Sequence, residues 1–225
     1  MGYKQGMARA QNMRTRVKIC GITRTQDIKS VVDAGADAIG FVFFPPSPRN
    51  VSVELAQELV KYVPAYVQTV GLFVNASSEE ILEVLKTVSL DVIQFHGDET
   101  PEQCQKIAKL TGRRWYKAIQ VKPDLDVIST IKQYQQVGAS AMLLDAWHPE
   151  LKGGTGHSFD WSQFPQLDIP LILAGGLKPE NIENAIKTTK AYAVDVSGGV
   201  ESAKGIKDQQ LIEKFMQGVH RGSAK

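Results

Sequence analysis

Six stretches of the 225-residue sequence place a reactive or anion-binding residue directly behind an apolar run. Cys20 follows Val17-Lys-Ile19, and Arg49 sits in Pro45-Pro-Ser-Pro-Arg-Asn50. His96 lies in Gln94-Phe-His-Gly97, and Asp145 ends Ala141-Met-Leu-Leu-Asp145. Gly175-Gly176 and Ser197-Gly198-Gly199 come later. A thiolate is a competent general base or nucleophile, and a carboxyl group can protonate a leaving oxygen. An arginine can clamp a carboxylate through two parallel hydrogen bonds. Glycine N–H groups can surround a phosphate because no Cβ blocks its approach, and a following helix adds the favourable end of its dipole.

Each residue also has a plain structural reading. Cys20 reads as a base or as a small buried apolar residue, and Cys104 reads only as the latter. Strand alternation puts Lys18 on the same side as Cys20, where its charge would help the thiol ionise. Asp145 is either a site carboxyl or a helix cap or ion-pair partner, because burying it alone is costly. Arg49 is a clamp or a solvated surface arginine, and His96 a site residue or a packed histidine. The late glycines cradle a phosphate or supply tight turns. Trp147, His148 and Lys152-Gly-Gly-Thr-Gly156 read as a long loop able to cover a site. Neither His148 nor His157 has metal-ligand spacing, so no metal is expected.

The elements that would hold these residues repeat. Apolar, β-branched runs begin near Val17, Asp37, Val67, Asp91, Trp115, Ala141, Ile169 and Ala191, one about every 25 residues, with stretches of helical period between them. Ser77 and Glu80 form a capping box ahead of Ile81, Val84, Leu85 and Val88. Thr100, Pro101 and Gln103 open a helix carrying Cys104, Ile107 and Ala108, and Gly112 stops it. Leu211, Ile212, Phe215, Met216 and Val219 make another stripe. One-sided helices and continuously apolar strands, such as Ala38-Ile-Gly-Phe-Val-Phe-Phe44 and Pro170-Leu-Ile-Leu-Ala174, predict a sheet buried on both faces. Eight units predict a closed (β/α)8 TIM barrel in one domain over 17–220, with a loose extension over 1–16 and a short tail over 221–225. An open doubly wound sheet would carry a glycine fingerprint after its first strand, and none is present there. In a barrel, all six stretches would meet at the C-terminal ends of the strands.

Composition narrows the classes. The chain has 26 basic and 24 acidic residues and two cysteines. Four of the basic residues fall in the first sixteen, so the body is nearly neutral and carries no footprint for nucleic acid. Two cysteines make no disulfide framework, and no apolar run reaches membrane-spanning length. A soluble cytoplasmic protein, monomer or homodimer, is expected. The basic, acid-free extension leaves a plastid transit segment as the minor alternative.

Together these residues resemble the phosphoribosylanthranilate isomerase family of tryptophan biosynthesis. The resemblance runs from about Val17 to Val219. It rests on Lys18-Ile-Cys-Gly-Ile22, Ser47-Pro-Arg49, Gln94-Phe-His-Gly97, Leu143-Leu-Asp145, Gly153-Gly-Thr-Gly156, Ala174-Gly-Gly-Leu177 and Asp195-Val-Ser-Gly-Gly-Val-Glu201. It implies a cofactor-free Amadori rearrangement of a phosphorylated aminosugar, with Cys20 as general base and Asp145 as general acid. It places Arg49 near the anthranilate carboxylate, and Gly154, Gly175, Gly176, Ser197 and Gly198 at the phosphate, with Lys18 and His96 also at the substrate. The family commonly has two serines where this chain has Ser197-Gly198, so only a backbone N–H is left at the second position.

Three competing readings remain. A related synthase would need further catalytic lysine and glutamate residues at strand ends, and sugar-phosphate epimerases would need metal ligands there. A non-catalytic phosphosugar-binding barrel would bind without turnover. Action on both tryptophan and histidine intermediates is disfavoured, because bifunctional relatives are expected to use a carboxylate in place of Cys20.

Overall fold

The computed structural model describes residues 14–122, 124–145 and 161–224. Eight parallel strands close in the order β1 to β8, with β8 paired back to β1. They are β1 Arg16–Cys20, β2 Ala38–Phe43, β3 Gln68–Phe73, β4 Val92–Phe95, β5 Arg114–Gln120, β6 Ala141–Asp145, β7 Leu171–Ala174 and β8 Ala193–Val196. Each starts within two residues of its expected position, because β-branched runs buried on both faces mark themselves in sequence. Helices α1 Thr25–Asp33, α2 Val53–Val60, α3 Ser78–Thr87, α4 Pro101–Thr111, α5 Val127–Gln136, α6 Ile182–Thr189 and α7 Gln209–Ser223 pack outside. Between β6 and β7 the described residues hold a single 3₁₀ turn, Trp161–Gln163.

Strand parity separates two cores. Outward residues such as Ile19, Ile39, Phe95, Leu144 and Val194 meet the helices, while Val70, Tyr116, Leu143 and Ile172 fill the barrel. The helix starts form as their sequences dictate. In α3, Ser77 Oγ accepts from the Glu80 N–H at 3.1 Å and the Glu80 carboxylate accepts from the Ser77 N–H at 2.7 Å. Thr100 and Gln103 do the same for α4, and Gly112 ends it at φ 65°. Helix α7 continues to Ser223, past residue 220 where a tail was expected. Arg221 pairs with Glu183 at 2.7 Å, and the Ser223 hydroxyl accepts from the Thr15 N–H at 3.0 Å. A small antiparallel hairpin, β9 Glu201–Ala203 with β10 Ile206–Lys207, follows β8 and has no sequence signature of its own. No helix among the described residues is long and apolar enough to cross a membrane.

Candidate active site

Cys20 is the last residue of β1 and shares the inward face with Lys18. Across the closing seam Lys18 is in register with Asp195 of β8, and Cys20 with Gly40 of β2. A Cβ on Gly40 would lie 2.8 Å from the Cys20 Sγ and 3.0 Å from the Lys18 Cε, so glycine makes room for both side chains. Lys18 Nζ meets Asp195 Oδ2 at 2.6 Å. Burial works against the ammonium, but Asp195, with Cys20 and Tyr116, outweighs it and raises the Lys18 pKa. The second Asp195 oxygen, Oδ1, has no hydrogen-bond partner among the described residues. Burial pushes the Cys20 thiol up and Lys18 pulls it back, with the net direction upward. Lys18 therefore lies beneath the thiol, 5% exposed, and acts on it electrostatically from below.

Asp145 closes β6, reached from β1 through β8 and β7 on the far side of the same mouth. Its Oδ2 is 3.8 Å from His96 Nε2. The His96 N–H is fixed to the Phe73 carbonyl at 2.8 Å, and its Nδ1 stands 2.9 Å from Gln94 Nε2. Gln94 is fully buried and accepts from the Tyr116 hydroxyl at 2.8 Å.

Arg49 reaches back over the β1 end from the loop after β2. Its Nε and Nη2 donate to the two Glu201 oxygens, each at 2.7 Å. Lys207 Nζ meets the same carboxylate at 2.7 Å. Burial would raise the Glu201 carboxyl, but Arg49 and Lys207 together hold it below the ordinary carboxylate value. Gly21, at φ 79°, lies so near that a Cβ would stand 2.4 Å from the Arg49 Cδ. The fork is thus oriented by Glu201, with Nη1 and one Nη2 hydrogen unused by that carboxylate.

The late glycines form a pair of turns. Gly175 and Gly176 adopt φ 90° and 64° after β7. A Cβ on Gly199 would lie 1.8 Å from the Leu177 carbonyl oxygen, so only glycine lets the β7 and β8 loops touch. The N–H groups of Gly175, Gly176, Gly198 and Gly199 find no acceptor among the described residues. Asn181 shapes the start of α6, accepting from the Lys178 N–H and donating to the Gly176 carbonyl, both at 2.9 Å. The Ser197 hydroxyl donates to the Cys20 carbonyl at 2.9 Å, tying the ends of β8 and β1. A four-donor cradle beside a thiol and a carboxyl suits a phosphorylated substrate that exchanges protons at two positions.

The structure brings Cys20, Arg49, His96, Asp145, Gly175, Gly176, Ser197 and Gly198 to one end of the barrel. Gly154 lies outside the described residues, as do Trp147, His148 and His157. Sequence reasoning did not single out Tyr116 or Lys207, nor Gln94, Asp195 and Glu201 apart from the motifs that contain them. Strand parity could have pointed to Tyr116 and Asp195, but the partners of Glu201 become visible only when β8 closes on β1. No group of three or more His, Cys, Asp or Glu among the described residues could hold a metal ion. A cavity of about 340 Å³ opens at the opposite end, between Arg16, Arg114, Gln68 and Tyr192, away from Cys20 and Asp145.

The model of the family described as N-(5'-phosphoribosyl)anthranilate isomerase matches residues 17–218. The N-(5'-phosphoribosyl)anthranilate isomerase of Acinetobacter calcoaceticus is 72% identical over 95% of this chain and its own full length. That of Pseudomonas putida F1 is 52% identical over 91% of this chain and 97% of its own. The crystal structure of phosphoribosyl anthranilate isomerase from Thermotoga maritima superposes with a TM-score of 0.82 at 42% identity, covering 92% of this chain and 98% of that one. A second crystal structure, of the isomerase in complex with reduced 1-(o-carboxyphenylamino)-1-deoxyribulose 5-phosphate, superposes at 0.79 with 39% identity, covering 92% of this chain and 98% of that one.

Proposed function

The chain belongs to the N-(5'-phosphoribosyl)anthranilate isomerase family and carries that isomerase activity, and we propose that Cys20 and Asp145 divide its proton transfers between them. The reaction converts N-(5-phosphoribosyl)anthranilate to 1-(2-carboxyphenylamino)-1-deoxyribulose 5-phosphate. Asp145 gives its proton to the furanose oxygen as the bond from that oxygen to C1 breaks, and the anilino nitrogen lone pair forms the iminium. The Cys20 thiolate then takes the proton from C2. The C–H electrons become the C1–C2 double bond of an enolamine, and the iminium nitrogen is neutralised. Tautomerisation moves the C2 hydroxyl proton away and adds one at C1, giving the ketone. No outside oxidant is needed, because C1 is reduced as C2 is oxidised.

One observation carries this reading: a thiol above a buried cation and a carboxyl on the far strand share a mouth with four glycine N–H groups that find no acceptor among the described residues. Arg49, held by Glu201, takes the anthranilate carboxylate with its remaining donors. Gly175, Gly176 and Gly198, with Gly199, take the phosphate. Ser197 closes that side of the site through its bond to Cys20. His96 flanks the sugar beside Asp145. The chain acts as a soluble cytoplasmic enzyme on a small phosphorylated aminosugar, needs neither nucleic acid nor membrane, and requires no cofactor.

The test follows the fluorescence of freshly generated phosphoribosylanthranilate as it is consumed. Cys20→Ala and Asp145→Asn should each lose about 10²- to 10⁴-fold in kcat with little change in KM. Arg49→Ala should raise KM more than it lowers kcat. Near-normal turnover in either of the first two variants would remove that residue from the mechanism.

A further inference from the structure

We propose that Tyr116 and Gln94 form a one-directional hydrogen-bonding chain through the barrel that fixes His96 as its Nε2–H tautomer, so that this N–H receives the carboxylate left when Asp145 gives up its proton. The proposal rests on the reading of Asp145 as the acid. It makes Gln94 and Tyr116 positioning residues, acting through His96.

Direction is set by Gln94 Oε1, an amide oxygen that can only accept, so the Tyr116 hydroxyl must donate to it. The Lys18 charge also acts on that hydroxyl. Burial pushes the Tyr116 pKa up, so the hydroxyl keeps its hydrogen. The hydrogen lands on Gln94 Oε1 at 2.8 Å. With its oxygen engaged, the amide turns its nitrogen, a donor only, toward His96 Nδ1 at 2.9 Å. Nδ1 must accept, and a neutral imidazole then carries its proton on Nε2. That nitrogen faces Asp145 Oδ2 at 3.8 Å. The gap exceeds a hydrogen bond, as is common for catalytic contacts before substrate binds, and a small approach closes it.

The consequence concerns both ends of the reaction. The cation that favours the Cys20 thiolate also acts on the Tyr116 hydroxyl that heads this chain. Base and the chain that serves the acid, three strands apart, thus lie within the field of one buried cation.

The test is nitrogen NMR of the protein labelled with ¹⁵N-histidine, with the His96 signals assigned by their loss in His96→Gln. Neutral His96 should show a protonated Nε2 and an unprotonated Nδ1. In Gln94→Glu the new carboxylate can only accept, so the proton should move to Nδ1, and kcat should fall about tenfold with KM little changed, the effect of weakening one hydrogen bond to a charged group. Should that variant fail to fold, Tyr116→Phe removes the hydroxyl that orients the amide and should give a mixture of tautomers. Nδ1–H in the parent, or an unchanged tautomer in the variants, would overturn the chain. So would a Gln94→Glu variant with the tautomer reversed and the parent kcat. The tautomer readout needs no turnover, so the two readings separate: a fully active Asp145→Asn would remove the acid reading, and with it the chain's purpose, whereas Nδ1–H beside an inactive Asp145→Asn would overturn the chain alone.

Discussion

Lys18 and Lys117 are both buried lysines paired with a buried carboxylate, yet one stands inside the barrel and the other between the strands and the helices. Lys117 meets Glu99 at 3.1 Å and also donates to the Gly97 carbonyl. The same Glu99 accepts from the N–H groups of Asn75 at 2.7 Å and Gly97 at 2.9 Å, and its carbonyl accepts from Tyr134 at 2.8 Å. Every oxygen of that carboxylate is used, and the loops after β3 and β4, the second of which carries His96, are fastened together. The Lys18 pair leaves Asp195 Oδ1 without a partner among the described residues, and its cation acts on a thiol and a phenol. A fully satisfied pair specifies structure, whereas a partly satisfied one leaves charge available to chemistry.

The largest effect that could break this contrast is on folding. Lys117→Met should cost about 3–5 kcal/mol, because it strands Glu99 in the interior. Its folded fraction should keep nearly the parent kcat. Denaturant unfolding and active-site-normalised kinetics check the two halves, and a stable but inactive variant would assign Lys117 to the chemistry instead.

Lys18→Met should act on ionisation. Removing the cation that pulls the Cys20 thiol down lets its pKa rise further. The alkaline rise of kcat/KM should therefore move to higher pH, and an unmoved pH profile would detach Lys18 from the thiol.

The smallest effect concerns Glu201. Its pKa in the fold lies below 4.5, so its contribution to stability is complete above that value and is lost as pH falls through the lower, folded one. Thermal unfolding of Glu201→Gln should show a shallower acid limb than the parent. An identical limb would mean that the Arg49–Glu201–Lys207 cluster does not couple to protonation.

The same contrast explains what could be read from sequence. Cys20 and Asp145 announced themselves because each ends an apolar run, and in a parallel barrel that position opens into the mouth. The capped helices were equally legible, since Ser77 with Glu80 and Thr100 with Gln103 act over three residues. The ion pairs were not. Lys18 and Asp195 lie 177 positions apart and meet only across the seam where β8 closes on β1. Arg49 and Glu201 are 152 apart, and the hairpin carrying Lys207 is too short to leave a pattern. Lys117 breaks the apolar alternation of β5, and nothing local tells that Glu99 waits behind it. The loop around Gly154, prominent in sequence, lies outside the described residues.

The central claim is that the thiol at the end of β1 removes the C2 proton of the sugar, and its most direct test is single-turnover kinetics with substrate deuterated at C2. The parent should show a chemical step slowed severalfold by deuterium, and Cys20→Ala should lose about 10²- to 10⁴-fold in that step while still binding substrate. A Cys20→Ala enzyme that kept both the parent rate and the parent isotope effect would contradict the account.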